Sequence, residues 1–476
     1  MSVARVPTGV PGLDNVLGGG LLPGALMFVA GMPGAGKTVL TLQMAFASAR
    51  RGVPAVYFTT FSEPHDKLVR HVQGFPFYSA DLLGEGVQLL NLEQALRRGS
   101  EETAEAIIQA ARAQRAGLVV LDGLRGVTDI LGGSDARVRE LLYQLSAQLG
   151  VLGVCGVITF EVDPAEATSA DFVSADVVLT LRHTPGRGSA RMLEVLKARG
   201  SEPLAGAHSL FITESGVVVY PQAEMIPTRP AEGVPRQRAP FGIAGLDALM
   251  GGGPTVGTST LVVGAPGTGK TLLALQWLLA GAATGERGLL LGFHESAGQL
   301  IDRAEALGLD LRARVADGSI DLWTQPAVAL DGNKLAGDLR ARIAERGVQR
   351  LVIDSAAEVE ASVAPERAAA YLSALVAYLR GEGVTTLLTR EVSGKIGLEL
   401  DLTSTAAVVL AENLILLRQT FTNGGAQRSL AILEMRYTAF TPGLYTYTIG
   451  TGGLRIGGLA SGVAPVTGLE GNGGTP

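Results

Sequence analysis

The sequence predicts an α/β chain of two tandem domains, each a mostly parallel twisted sheet flanked by helices. Three observations predict it. A Gly-rich pattern occurs twice, as GMPGAGKT at 31–38 and GAPGTGKT at 264–271. Each copy follows a short apolar run and opens a helical pattern, and such runs and patterns alternate through both halves. Other landmarks repeat at almost the same spacing as the loops. Lys37 and Lys270 are 233 residues apart, as are Gly12-Leu13-Asp14 and Gly245-Leu246-Asp247, and Gly18-Gly19-Gly20 and Gly251-Gly252-Gly253. Glu63 meets Glu295, and Asp122 meets Asp354, at 232. Matches spread over more than a hundred residues indicate a duplicated domain rather than a short repeat.

The elements of the first half follow in order. ALMFVAG (25–31) is a strand and KTVLTLQMAFASAR (37–50) a helix. AVYFTT (55–60) is a strand, EPHDKLVRHV (63–72) a helix and GLVVLD (117–122) a strand. ARVRELLYQLSAQL (136–149) is a helix and VCGVITF (154–160) a strand. Residues 176–220 are strand-rich with tight turns and are expected as antiparallel strands that finish the sheet. YPQAEMIPTRPAEGVPRQRAP (220–240) holds five prolines without apolar periodicity and reads as a linker. The expected organisation is one domain at 1–222, a linker at 223–239, a second domain at 240–456 and a Gly-rich disordered tail at 457–476.

Composition bounds the function. The length suits about two to four domains. Hydrophobic residues are 47% of the chain, enough for packed cores. The formal charge is -6, which gives no global attraction to nucleic acid or anionic lipid. One cysteine, Cys155, excludes a disulfide framework and a cysteine zinc cluster, and its apolar surroundings mark it as a small buried hydrophobe. No apolar leader region is visible and no stretch reaches the ~18 uncharged apolar residues of a spanning helix. The expected location is cytoplasmic, with no membrane partner.

G-x-x-x-x-G-K-T between a strand and a helix is a phosphate-binding loop. Glycines let several backbone N–H groups point inward, and the helix N-terminus adds its positive dipole end. The first nucleotide-binding set is Gly31, Pro33, Gly34, Ala35, Gly36, Lys37 and Thr38; the second is Gly264, Pro266, Gly267, Thr268, Gly269, Lys270 and Thr271. The lysines suit β- and γ-phosphates. Thr38 and Thr271 suit Mg²⁺, joined by Asp122 and Asp354 at the ends of apolar strands. ATP with Mg²⁺ is the expected ligand. Hydrolysis also needs a carboxylate that orients water, and each half offers one after its second strand, Glu63 or Glu295, preceded by Ser62 or His294. The plain alternative for each glutamate is a first-turn residue favouring the helix dipole.

With the entry TGVPGLDNVLGGG, two phosphate loops, two Asp-ended strands and KARG at 197–200, the sequence resembles the KaiC family within the RecA-like ATPases. The resemblance implies two tandem RecA-like P-loop domains, a hexamer of two stacked rings, ATP at the seams between protomers and slow hydrolysis. It also implies that Lys197 and Arg199, two apart on one strand face, meet the neighbouring protomer's nucleotide. The second half carries Glu434 and Arg436 there, so its charge stabilisation is expected to be weaker. The family's paired glutamates are reduced to Ser62-Glu63 and His294-Glu295. Its adjacent Ser-Thr phosphoacceptors fall on Val408-Val409, with Thr403, Ser404 and Thr405 just upstream, so the clock-type phosphorylation cycle is expected to be missing. The expected function is a slow ATPase acting as a regulatory module through protein partners, with the first half hydrolysing more. The alternative is a RecA- or RadA-like DNA-dependent ATPase, but the candidate DNA loops at 123–140, 161–176 and 390–406 are mixed, acidic and near neutral. A protein kinase acting in trans lacks its own Gly-rich loop and catalytic-aspartate pattern.

Overall fold

The computed structural model describes residues 4–60, 65–131, 135–162, 172–183, 191–229, 237–328, 330–392, 410–422 and 425–460. The chain divides into two compact units, Met1–Ile226 and Pro227–Pro476.

The first unit is one nine-stranded sheet. Its strands are β1 (Leu26–Gly31), β2 (Ala55–Thr59), β3 (Val87–Asn91), β4 (Leu118–Asp122), β5 (Cys155–Phe160), β6 (Val177–His183), β7 (Arg191–Ala198), β8 (Ala207–Thr213) and β9 (Gly216–Tyr220). Their order is β3-β2-β4-β5-β1-β6-β7-β8-β9. Side chains of β1 alternate between two cores. Met27 and Val29 join Leu40 and Met44 of the helix Lys37–Arg50 on one face; Leu26 and Phe28 join Leu141 and Leu145 of the helix Asp135–Leu152 on the other. Both faces are covered, so the strand must be apolar throughout. Each such Leu or Phe contributes about 1.5–3 kcal/mol by burial. Cys155 is fully buried in this sheet, and burial pushes its thiol above the ordinary value.

The second unit repeats the plan. Its strands are β10 (Ser259–Gly264), β11 (Gly288–Gly292), β12 (Ile320–Thr324), β13 (Arg350–Asp354), β14 (Thr385–Glu391), β15 (Asn413–Thr422), β16 (Gly425–Met435), β17 (Leu444–Gly450) and β18 (Gly453–Leu459). Their order, β12-β11-β13-β14-β10-β15-β16-β17-β18, reproduces the first sheet strand for strand. The last strand runs to Leu459, past residue 456. Arg350 is 2% exposed, pairs with Glu286 and donates to the carbonyls of Pro240 and Trp277, each at 2.8 Å. That anchors residue 240 to the second core.

Three sequence expectations need correction. β6 is parallel to β1, and only β7–β9 run antiparallel. A strand pairing with the β1 edge is reached from β5 by a crossover, which permits the parallel direction. The stretch after Asp122, read as a possible DNA loop, is helical over Leu124–Ile130, with Leu124 and Val127 buried. The strand β3 and the helix Ser100–Ala113 were not anticipated in the 72–117 interval; half-buried β3 lies at the sheet edge, where apolar patterning is weakest.

Candidate functional site

Each phosphate loop leaves the carboxyl end of a central strand, β1 or β10, and closes on a helix starting at Lys37 or Lys270. The glycines explain the turn. Gly34 and Gly36 have φ of 79° and 101°, and Gly267 and Gly269 of 77° and 96°, conformations that side chains strongly disfavour. A Cβ on Gly34 or Gly267 would meet nothing within 4 Å, so conformation rather than space selects glycine and the loop stays open. Neither following helix has a side-chain cap at its Gly36 or Gly269 N-cap. By contrast, Ser296 and Asp331 cap two other helices of the second unit. The uncapped first-turn N–H groups are donors for an anion.

Lys37 and Lys270 are each 7% exposed and fold back over their loops. Lys37 Nζ donates to the Gly31 and Met32 carbonyls at 2.7 and 3.1 Å; Lys270 Nζ donates to those of Gly264 and Ala265 at 2.9 and 3.1 Å. Burial pushes both ammonium groups below their ordinary value. Glu161 and Asp122 oppose this for Lys37, and Glu391 and Asp354 for Lys270. The Glu391 carboxylate lies 3.7 Å from Lys270 Nζ.

The metal-type residues come together differently in the two halves. Thr271 Oγ1 donates to Asp354 Oδ2 at 2.7 Å, and Thr389 donates to Asp354 Oδ1. Asp122 accepts instead from Tyr57 at 2.7 Å and Thr159 at 2.5 Å, with Tyr57 in turn 3.0 Å from Thr41. A threonine hydroxyl that gives its proton to a carboxylate keeps lone pairs for a cation. That donor set, a hard oxygen pair beside an open anion cradle, fits Mg²⁺ arriving with a nucleotide. Among the described residues no cluster of three His, Cys, Asp or Glu side chains could hold a metal alone.

Lys197 and Arg199 lie elsewhere. Lys197 is opposite Val178, Val178 is opposite Phe28, and Arg199 N donates to the Asp176 carbonyl beside Leu26. Leu26 and Gly31 are five residues apart along β1, roughly 16 Å at strand rise, so the pair sits at the end of the sheet opposite its own loop. Lys197 Nζ donates to the Phe172 and Val173 carbonyls, and Arg199 lies 3.6 Å from Asp176. Burial, then the Arg199 charge beside it, lowers the Lys197 ammonium below its ordinary value. In the second half Arg436 Nε donates to Glu434 Oε1 at 3.3 Å, so Glu434 turns to its own arginine. Glu295 accepts from Arg303 Nη1 at 2.7 Å, and His294 Nε2 is 2.8 Å from Glu358 Oε1. Glu63, Thr403, Ser404, Thr405, Val408 and Val409 lie outside the described residues.

Some neighbours of the loops were missed by sequence reading. Arg191 Nε donates to the Gly34 carbonyl at 3.2 Å, and Tyr447 donates to the Thr268 carbonyl at 2.5 Å. Arg191 arrives from β7 and Tyr447 from β17, each far along the chain, and no local motif marks them. Ile212 of β8 packs 3.0 Å from where a Gly36 Cβ would stand. One turn beyond Ile212 is a pocket of about 540 Å³ lined by Arg70, His71, Gln73, Gly74, Phe75 and Glu214.

Comparison with known proteins agrees with this geometry. A family model described as ATPase, KaiC, matches residues 6–224 and again 239–461. The circadian clock oscillator protein KaiC of Picosynechococcus sp. is 27% identical over 470 residues, covering 95% of this chain and 90% of that protein. The circadian clock protein KaiC3 of Synechocystis sp. is 26% identical, covering 96% of this chain and 92% of its own. With the duplicated sheet order and both loops in place, the chain belongs to the KaiC family of ATPases.

Proposed function

We propose that this chain binds ATP with Mg²⁺ at both loops and hydrolyses it slowly at seams between protomers of a hexamer, built as two stacked rings. The observation that carries the reading is the placement of Lys197 and Arg199 at the sheet end opposite their own loop. A cation pair there serves a neighbour's nucleotide, not its own. Thr38 with Asp122, and Thr271 with Asp354, would hold Mg²⁺, which when bound neutralises charge on the β- and γ-phosphates. Lys37 and Lys270 exchange their loop carbonyls for phosphate oxygens. The pocket beside Glu214 has room for a base. No helix among the described residues is long and apolar enough to cross a membrane. The proposed module works in the cytoplasm through protein partners.

The first half is the stronger hydrolase, because Lys197 adds a second cation beside Arg199, which lies 3.6 Å from Asp176, while the second half has Glu434 in the place of that lysine, 3.3 Å from Arg436. Clock-type autophosphorylation is absent: incubation with γ-labelled ATP and peptide mapping gives no stoichiometric phosphate near 403–405, and stoichiometric label there refutes this. The DNA-dependent alternative is tested by fluorescence anisotropy with single-stranded DNA. Weak binding is expected at moderate salt; tight, strongly salt-sensitive binding reverses the ranking.

A further inference from the structure

Two side chains follow β11 at the second loop, and they turn opposite ways. Glu295 is held by Arg303 of the following helix, Ala297–Ala306. His294 turns to Glu358, on the helix Ala356–Ala361 that begins just after Asp354. The other Glu358 oxygen accepts from Ser355 Oγ at 2.6 Å, and Ser355 is 4% exposed. A buried hydroxyl fixes the carboxylate, and the carboxylate fixes the ring. An ionised carboxylate only accepts, so in the neutral ring Nε2 carries the proton and Nδ1 keeps its lone pair. The His294 side chain is 65% exposed, so water reaches it. Gly292 is in register with Asp354, and Phe293 N donates to the Asp354 carbonyl at 3.2 Å. His294 therefore follows by two residues the position in register with the metal-type aspartate, at the carboxyl ends of parallel strands, where open α/β sheets take their ligands.

We propose that His294, oriented by Glu358, positions and deprotonates the water that attacks the γ-phosphate in the second site. This rests on the reading of that site as one that hydrolyses ATP. The water oxygen bonds to the γ-phosphorus, and the bond from that phosphorus to the β,γ-bridging oxygen breaks. The electron pair leaves on ADP, and the water proton goes to His294 Nδ1. Glu358 stabilises the imidazolium and acts as the positioning residue. Ser355 holds the far oxygen of Glu358, and the charge of the adjacent Glu295 is met by Arg303. Only the neutral ring accepts a proton.

The test uses the full chain with Lys37→Ala to silence the first site. Residual turnover is expected. His294→Ala lowers it about 10²-fold, the usual contribution of a positioned base. His294→Gln keeps a donor toward Glu358 but accepts no such proton, and it falls as far. His294→Glu restores turnover. Bound nucleotide per chain, read as ADP plus ATP released on denaturation, stays constant through the series. If His294→Gln or His294→Ala keeps the parental rate, the proposal fails and the second site still hydrolyses. If Lys37→Ala alone holds nucleotide without turning it over, the reading of the second site fails, and the proposal with it.

Discussion

Lys37→Ala silences the first site and lowers ATP turnover of the full chain about tenfold, because the first site runs about tenfold faster than the second, a barrier difference of ~1.4 kcal/mol. Lys270→Ala lowers it less than about twofold. The lysines themselves do not account for the difference: both are 7% exposed and bond to the same two carbonyl positions. The difference lies at the far end of each sheet. Two unit charges ~4 Å apart at an effective dielectric near 20 interact by roughly 4 kcal/mol, so exchanging lysine for glutamate beside a triphosphate changes sign at full strength. The Glu434–Arg436 contact at 3.3 Å absorbs part of that repulsion and part of the arginine's charge. Steady-state ATPase with particle mass on both variants checks the order. Turnover lost with Lys270→Ala and kept with Lys37→Ala inverts the assignment.

The double substitution Lys197→Ala, Arg199→Ala lowers first-site turnover about 10³-fold, the lower range for an arginine supplied to a transferring phosphoryl group, and so leaves the full chain with second-site turnover alone. Nucleotide bound per chain is unchanged, since neither side chain touches its own loop. Mixing this protein with Lys37→Ala chains restores activity. A seam between an intact loop from one chain and an intact cation pair from the other is a complete site. Mixed assemblies with no gain in rate place the pair's action within one chain and remove the basis for the ring.

Much of the fold was legible because it rests on local signals. The helix Lys37–Arg50 begins and ends where the sequence placed it, since the Gly-Lys-Thr junction sets its start and Gly52 lies just past its end. The apolar strands β1, β4 and β5 were visible because both their faces are covered. The direction of β6 was not legible: a strand does not declare whether its partner runs with it or against it. The phosphate loops were legible as motifs, and the metal-type aspartates as strand ends. What surrounds them was not. Tyr57 on Asp122, Glu391 beside Lys270 and Glu358 against His294 are contacts between segments far apart in sequence that only the sheet order brings together. The duplicated spacing gave the same prediction for both halves, yet Tyr57 stands where β11 carries Leu290, so beside the shared threonine contact Asp122 takes a tyrosine hydroxyl and Asp354 that of Thr271.

The separation of cation pair and loop along one sheet also bears on how the rate scales with protein concentration. On the proposed seam, a chain alone carries two half-sites of each kind and no whole one. Specific activity then reports association: it falls on dilution, with a midpoint set by the affinity between protomers, although no residue has changed. Any partner or small molecule that tightens or loosens the seam would act as an activator or inhibitor without entering a nucleotide pocket.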